Sequence, residues 1–308
     1  TRAVNIYQLV VELDPDDLNA QSGLAGALTL LADAHRRLDH PAEAADHLGR
    51  AISLAESMPY PDSADRQAQD RLAGVLVPLG TLSVELGEFD EAERLYMRLV
   101  DIRFATVKLH PGSVAALRDL ASAEDHLGSV AMRLGRLDTA EEWLAFAVNN
   151  RQELVDLDPD DREARRELAE TLTRLAIALG QLERIDEAER ALTRAVEIHR
   201  ELTDSDPDDH DAQRALAVNL AALGSMYRAA DRLEEATACQ MGAASILLLL
   251  IDLAPNPEPK VVQTTIALLT ELAETLRFLG RIAEADTANV QAEDLATRFP
   301  ETPFDEDL

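Results

Sequence analysis

The stretch Leu154-Val155-Asp156-Leu157-Asp158-Pro159-Asp160-Asp161 decides the fold, because it recurs. It returns as Val11-Glu12-Leu13-Asp14-Pro15-Asp16-Asp17 and as Asp204-Ser205-Asp206-Pro207-Asp208-Asp209, with degenerate copies around Pro61, Pro111 and Pro255. The prolines at 15, 61, 111, 159, 207 and 255 lie 46, 50, 48, 48 and 48 residues apart. A second stretch, Glu183-Arg184-Ile185-Asp186-Glu187-Ala188-Glu189, keeps the same period independently. Its counterparts begin at Asp39, Gly87, Gly135, Asp231 and Gly280, and the six starting positions differ by 48 four times and then by 49. Two anchors agreeing on one period mark a stacked-repeat protein, in which each unit buries its apolar face only against its neighbours.

Each period reads as two helices. In the copy from Asp158 to Ser205, Asp158 is expected to cap the first helix and Pro159 to occupy its first turn, where a missing N–H costs nothing. Leu168, Leu172, Leu175, Ala176 and Leu179 then keep helical spacing to about Leu182 (helix A). Ala188, Leu192, Ala195, Val196 and Ile198 do so from near Asp186 to about Leu202 (helix B). Segments alternating β-branched and polar residues are nearly absent, so the chain is expected to be all-α. Pro78 falls inside a helix A and is expected to bend it.

Small residues indicate how the helices meet. Helix B carries an alanine at Ala44, Ala92, Ala140, Ala188, Ala236 and Ala285. The middle leucine of helix A is Leu31, Leu79, Leu127, Leu175, Leu223 or Leu272, always followed by a small residue: Ala32, Gly80, Gly128, Ala176, Gly224 or Ala273. Facing small residues let two helices approach closely while the leucine fills the seam.

These residues resemble the tetratricopeptide repeat family: a Leu-small pair in helix A, a Gly-Arg-x-Asp-Glu-Ala turn, and the Leu-x-x-Ala of Leu144 to Ala147 and Leu192 to Ala195. The family's unit is shorter, so each helix here is extended by about two turns. The early aromatic of helix A is replaced by Leu28, Leu76, Leu172, Leu220 or Leu269. Long units of this type resemble arrays found beside kinase or other signalling domains in bacteria. The resemblance implies a right-handed superhelical solenoid of antiparallel helix pairs, with helix A on the concave side. One repeat domain would then fill residues 1–308: a truncated helix B at 1–13, matching Thr193 to Ile198 in its opening residues, six helix pairs over 14–299, and an acidic tail at 300–308.

Composition narrows the function. The formal charge of −29 repels nucleic acid phosphate and anionic lipid and favours a basic protein partner. The single cysteine, Cys239, rules out an internal disulfide, which fits a cytoplasmic protein, and the aliphatic run Ile246 to Ile251 is too short to cross a bilayer. No catalytic constellation, cofactor motif or metal template emerges. His35, His40 and His47 lie near Asp33, Asp39 and Asp46 without ligand spacing, and the Asp204–Asp211 run lacks the glycine and distal glutamate of a calcium loop. The expectation is a non-enzymatic scaffold or peptide-recognition module with no cofactor, acting as the regulatory arm of a larger bacterial signalling protein. The alternatives are a self-assembly module and a small-ligand sensor.

By the resemblance, the partner groove is lined by the residues two before and two after the middle leucine. These are Thr29 and Asp33, Val77 and Thr81, Asp125 and Ser129, Thr173 and Ile177, Ala221 and Ser225, and Thr270 and Glu274. Relatives that hold acidic C-terminal tails use Lys and Asn there, and this chain has neither. Self-assembly would run through Ile246, Leu247, Leu249 and Leu250, on a helix that is apolar all round.

Overall fold

A computed structural model describes residues 2–59 and 65–300; Thr1, the degenerate turn at Pro61 and the tail after residue 300 lie outside the described residues. Thirteen helices fill the described residues, without a strand. The first compact unit, Thr1–Asp160, holds α1 (Arg2–Leu13), α2 (Leu18–Arg37), α3 (Pro41–Ser57), α4 (Arg66–Glu85), α5 (Phe89–Leu109), α6 (Val114–Arg133) and α7 (Leu137–Leu157). The second, Asp161–Leu308, holds α8 (Arg162–Gln181), α9 (Ile185–Ser205), α10 (His210–Ala229), α11 (Leu233–Leu253), α12 (Pro259–Phe278) and α13 (Ile282–Arg298). The even-numbered helices are helices A, and each packs on the odd-numbered helix that follows. Helix A of 20 residues and helix B of 21, as in α8 and α9, are each about 30 Å long. The all-α architecture of successive helix pairs is the one expected.

The cap is corrected. Asp161, not Asp158, begins helix A: its Oδ1 accepts from the backbone N–H of Glu163 and Ala164, both at 3.0 Å. Asp17 does the same for α2, and Asp209 caps α10 by accepting from the N–H of Ala212 at 2.9 Å. Pro159 disfavours a helical residue before it, and Asp158 is extended, with φ −141° and ψ 89°, so helix B stops there. Reversing the chain takes Pro159 and Asp160, so Asp161 is the first side chain able to reach the free N–H groups. The Asp158 carboxylate instead accepts from the N–H of Asp160 at 3.2 Å. At Pro78, α4 runs on without interruption.

The seam between paired helices is as tight as the small residues imply. All six helix-B alanines are fully buried. A Cβ on Gly128 would stand 2.7 Å from Leu144 Cγ and 3.3 Å from the Ala140 carbonyl. On Gly224 it would meet Gln240 Cγ at 2.7 Å and the Ala236 carbonyl at 3.3 Å. The helix-A leucines Leu79, Leu127, Leu223 and Leu272 are buried, and Leu31 and Leu175 are half-buried.

All six A–B turns share one backbone device. Asp39, Gly87, Gly135, Glu183, Asp231 and Gly280 adopt positive φ, between 58° and 80°. The next residue then donates its N–H to a carbonyl five positions back, as Arg136 does to Ala131 and Arg184 to Leu179, each at 2.9 Å. This is the Schellman closure, and glycine meets its left-handed residue without steric cost. Glu183, with φ 60°, is a side chain held where glycine fits better.

Gly128→Ala is expected to lower stability by about 1–3 kcal/mol through overpacking. Gly74→Ala, where no atom lies within 4 Å of the new Cβ, should gain about 0.5–1 kcal/mol from helix propensity. Urea titrations of the two variants are expected to move in opposite directions. Glu183→Gly is expected to raise the melting temperature by a few degrees, since it relieves about 1 kcal/mol of left-handed strain.

Candidate functional site

Each helix A leaves one stripe uncovered at helical spacing, half-covered in the case of α6. In the first unit it runs through Gly26, Leu30 and Asp33 on α2, through Gly74, Val77, Pro78 and Thr81 on α4, and through Ser122, His126 and Ser129 on α6. In the second it runs through Arg174 and Ile177 on α8, Val218, Ala221 and Ser225 on α10, and Thr270, Glu274 and Phe278 on α12. Bonds between consecutive helices A tie α2 to α4 in the first unit and α8 to α10 to α12 in the second. Arg36 on α2 pairs with Glu85 on α4 at 3.0 Å, and Arg71 donates to Asn19 at 2.6 Å. In the second unit Thr173 donates to Asn219 at 3.0 Å, Ser225 to Glu271 at 3.1 Å, and Arg228 pairs with Glu271 at 2.9 Å.

Of the twelve expected groove residues, Val77, Thr81, Ile177, Ser225, Thr270 and Glu274 are exposed, and Asp33, Ser129, Thr173 and Ala221 are half-buried. Thr29 and Asp125 are buried, at 6% and 7% exposure, and are withdrawn from visitors. Most of the polar members already have partners inside the protein. Asp33 accepts from Arg36 at 2.7 Å, and that bond, with burial opposing it, holds its carboxyl below the ordinary range. Thr29 and Thr270 donate to the carbonyls one turn back. The charged members are paired, Asp33 with Arg36, Arg174 with Glu170 and Glu274 with Arg228, and between them the stripes present apolar side chains, notably Leu30, Val77, Ile177, Val218 and Phe278.

The sequence reading passed over Leu30, Val218 and Phe278, which lie one before, five before and six after the middle leucine, on the same side as the chosen pair. Extending the chosen spacing by one helical turn each way would have found them. It also passed over a polar cluster beneath the stripe: Thr81 meets the Tyr96 hydroxyl at 3.2 Å, and the Tyr96 ring lies 4.9 Å from that of His126. Burial pushes the Tyr96 hydroxyl above its usual pKa.

The expected assembly residues do not share a face. Leu247 is buried in the core, Leu249 is 51% exposed, and Ile246 is half-buried. Leu250 turns aside to line a hollow of about 250 Å³ with His210, Arg214, Pro257 and Val261. The histidines of the first repeat do cluster, His35 standing 5.2 Å from His47 and 5.7 Å from His40 between ring centroids. Among the described residues no three His, Cys, Asp or Glu side chains are placed to hold a metal ion. Cys239 is half-buried, and burial raises its thiol pKa.

Two buried ionisable groups occupy core positions. Glu124 on α6 stands where the other helices A have Leu28, Leu76, Leu172, Leu220 and Leu269. Burial pushes its carboxyl up to about 7, against a 2.7 Å hydrogen bond from Asn150 and the nearby charge of Arg151. His199 on α9 corresponds to the buried Leu247 of α11. Burial and Arg166 drive its imidazole down to about 4, with Asp209 opposing.

These shifts act in opposite directions. A carboxyl that holds its proton more tightly when folded contributes stability below about pH 4.5, and the contribution is lost as pH rises through about 7. An imidazole that resists protonation when folded contributes stability above about pH 6.5, lost as pH falls through about 4. Glu124→Leu is therefore expected to stabilise the protein at pH 8, by up to about 3 kcal/mol, and much less at pH 5. His199→Leu should flatten the loss of stability between pH 6.5 and pH 4. Denaturant titrations across pH 4–8 measure both effects.

The tetratricopeptide repeat family model matches residues 168–211, which span α9 and most of α8. The family resemblance read from the residues is thereby borne out. No curated protein sequence matches the chain. Among solved structures, BtubC (BKLC) from P. vanneervenii is similar over 83% of this chain and 91% of its own, with 21% identity and a TM-score of 0.57. The tetratricopeptide-like repeats of a putative kinesin light chain from Podospora anserina match over 79% of this chain and 100% of their own, with 17% identity and a TM-score of 0.53. RapI in its apo form matches over 89% and 99%, with 10% identity and a TM-score of 0.50. At these identities the likeness is one of fold.

Proposed function

We propose that this tetratricopeptide-type repeat protein is a non-catalytic scaffold that recognises a protein or peptide along the exposed helix-A stripes of each unit. The observation that carries the reading is the chemistry of those stripes. Their hydrogen-bonding and charged groups are largely engaged within the protein, leaving separated apolar side chains on helices as the free contacts. Such a surface suits an extended segment or a docked helix, with affinity coming from a few apolar anchors. The charge of −29 favours a partner with a basic surface and speeds its approach.

At a finer level, the protein is the regulatory arm of a larger bacterial signalling protein in the cytoplasm. This part rests on the resemblance of its long repeat units to arrays beside signalling domains, and on the charge, which disfavours nucleic acid and anionic membranes.

Thr173→Arg and Ser225→Arg place a bulky cation on two adjacent stripes of the second unit. Each is expected to weaken binding of a stripe-bound partner at least tenfold with helicity nearly unchanged, and Thr173→Arg also costs about 1–3 kcal/mol because it takes a partner from buried Asn219. Affinity capture with the wild type and both variants, followed by titration of the captured partner, measures this. Retention of every partner by both variants would count against the stripes.

A further inference from the structure

The outward side of α11 differs in kind from the same side of the preceding helices B, α7 and α9. At matching positions α9 exposes Arg190, Glu197 and Glu201, and α7 exposes Glu142, Asn149 and Glu153. On α11 the stripe is Ala238, Met241, Ser245 and Leu249, all exposed, and no charged residue occurs between Glu235 and Asp252. Met241 is 40% exposed and Leu249 51%. In a chain this acidic, a 21-residue helix thus keeps its outward face free of charge.

That face is held in place from behind. Ala236, Ala243, Ala244, Leu247 and Ile251 are buried, so α11 is committed to the core although its length and composition alone would let it cross a membrane. The ends of the stripe are acidic, with exposed Glu234 and Glu235 at one end and Asp252 at the other. On the neighbouring helices B, exposed Glu197, Glu201, Asp286 and Asp294 outnumber exposed Arg190 and Arg200, and Glu235 is shared with Arg232 at 3.1 Å, which leaves Glu234 the more open acid at that end. Arg298 is occupied by Asp252, at 3.1 Å, and by Asp294, at 3.5 Å. A second copy of this chain would bring one acidic rim against another, and an anionic membrane would do the same.

We infer that the Ala238–Met241–Ser245–Leu249 face of α11 is a second recognition surface, and that it takes an amphipathic helix with an apolar centre and lysine or arginine at its ends. The apolar side chains of the partner cover Met241 and Leu249, and its terminal cations meet Glu234, Glu235 and Asp252. This surface lies on a helix B and is independent of the helix-A stripes.

The test titrates the whole chain with two fluorescent synthetic helices about five turns long. They share one leucine face and differ in carrying lysine or glutamate at both ends. The lysine-ended helix is expected to bind at least tenfold more tightly. Leu249→Asp and Met241→Asp should each weaken it at least fivefold, although both add negative charge, and Thr173→Arg should leave it unchanged. A gain in affinity on Leu249→Asp would show attraction by bulk charge alone and overturn the inference. So would equal binding of both helices. Two further results would do the same: a wild-type dimer in sedimentation that Leu249→Asp dissociates, or binding of neutral phospholipid vesicles that the same variant abolishes.

Discussion

The close approach of helix A to helix B at one seam per repeat is the constraint on which everything else depends. A glycine or alanine after the middle leucine faces the first turns of the next helix, and where it is glycine, at 80, 128 and 224, an added carbon would run into Tyr96, Leu144 or Gln240. This fixes the pair geometry without large aromatic residues, which make up only 4% of the chain. A core of leucine and alanine then places the stripes, because whichever helix-A residues do not face the seam or the neighbouring repeat are left outward. The left-handed residue in each A–B turn serves the same end. It closes helix A in a fixed number of residues, so that the alanine of helix B always arrives opposite its small partner.

The fold was legible because its determinants are periodic. Two anchors with a common 48-residue spacing gave the helix count, the pairing and the identity of the seam residues. The caps were misplaced because aspartates stand on both sides of the proline, and a capping preference alone does not choose between them; the extended residue before proline does. Burial of Thr29 and Asp125 escaped the pattern for another reason. Spacing from the middle leucine tells which side of a helix a residue is on, but not how far the next repeat reaches over it. The first unit buries Asp125 beside Arg151, with Asp125 Oδ2 and Arg151 Nη2 4.0 Å apart. Glu124 is the opposite case. Its register is that of five leucines, so a buried carboxyl could have been read directly from the sequence.

Several polar residues sit where sibling repeats are apolar. Gln240 replaces the leucines at 48, 144 and 192 and is fully buried, with neither amide atom hydrogen-bonded. Glu124 departs from five leucines in a single repeat, His199 shares its position with Arg103 and Arg151, and Gln240 shares its own with Asn289, while the seam beneath them is unchanged. The scaffold tolerates such departures because the A–B seam of each repeat is intact. The cost is paid locally, in stability that depends on pH for the two ionisable residues and in an unmet amide for the third.

The ion pair between Arg136 and Glu93, at 2.6 Å, recurs two repeats later as Arg232 and Glu189, at 2.9 Å. In each case the first residue of a turn reaches back 43 positions to the helix B before it. A junction written in this way carries all its chemistry within one period. Unequal recombination that copies or deletes one period of coding sequence therefore leaves every remaining junction with the same seam, cap and counter-ion. The length of such an array is free to drift over generations while its joints stay fixed, and new surface is acquired by lengthening before it is refined by point substitution.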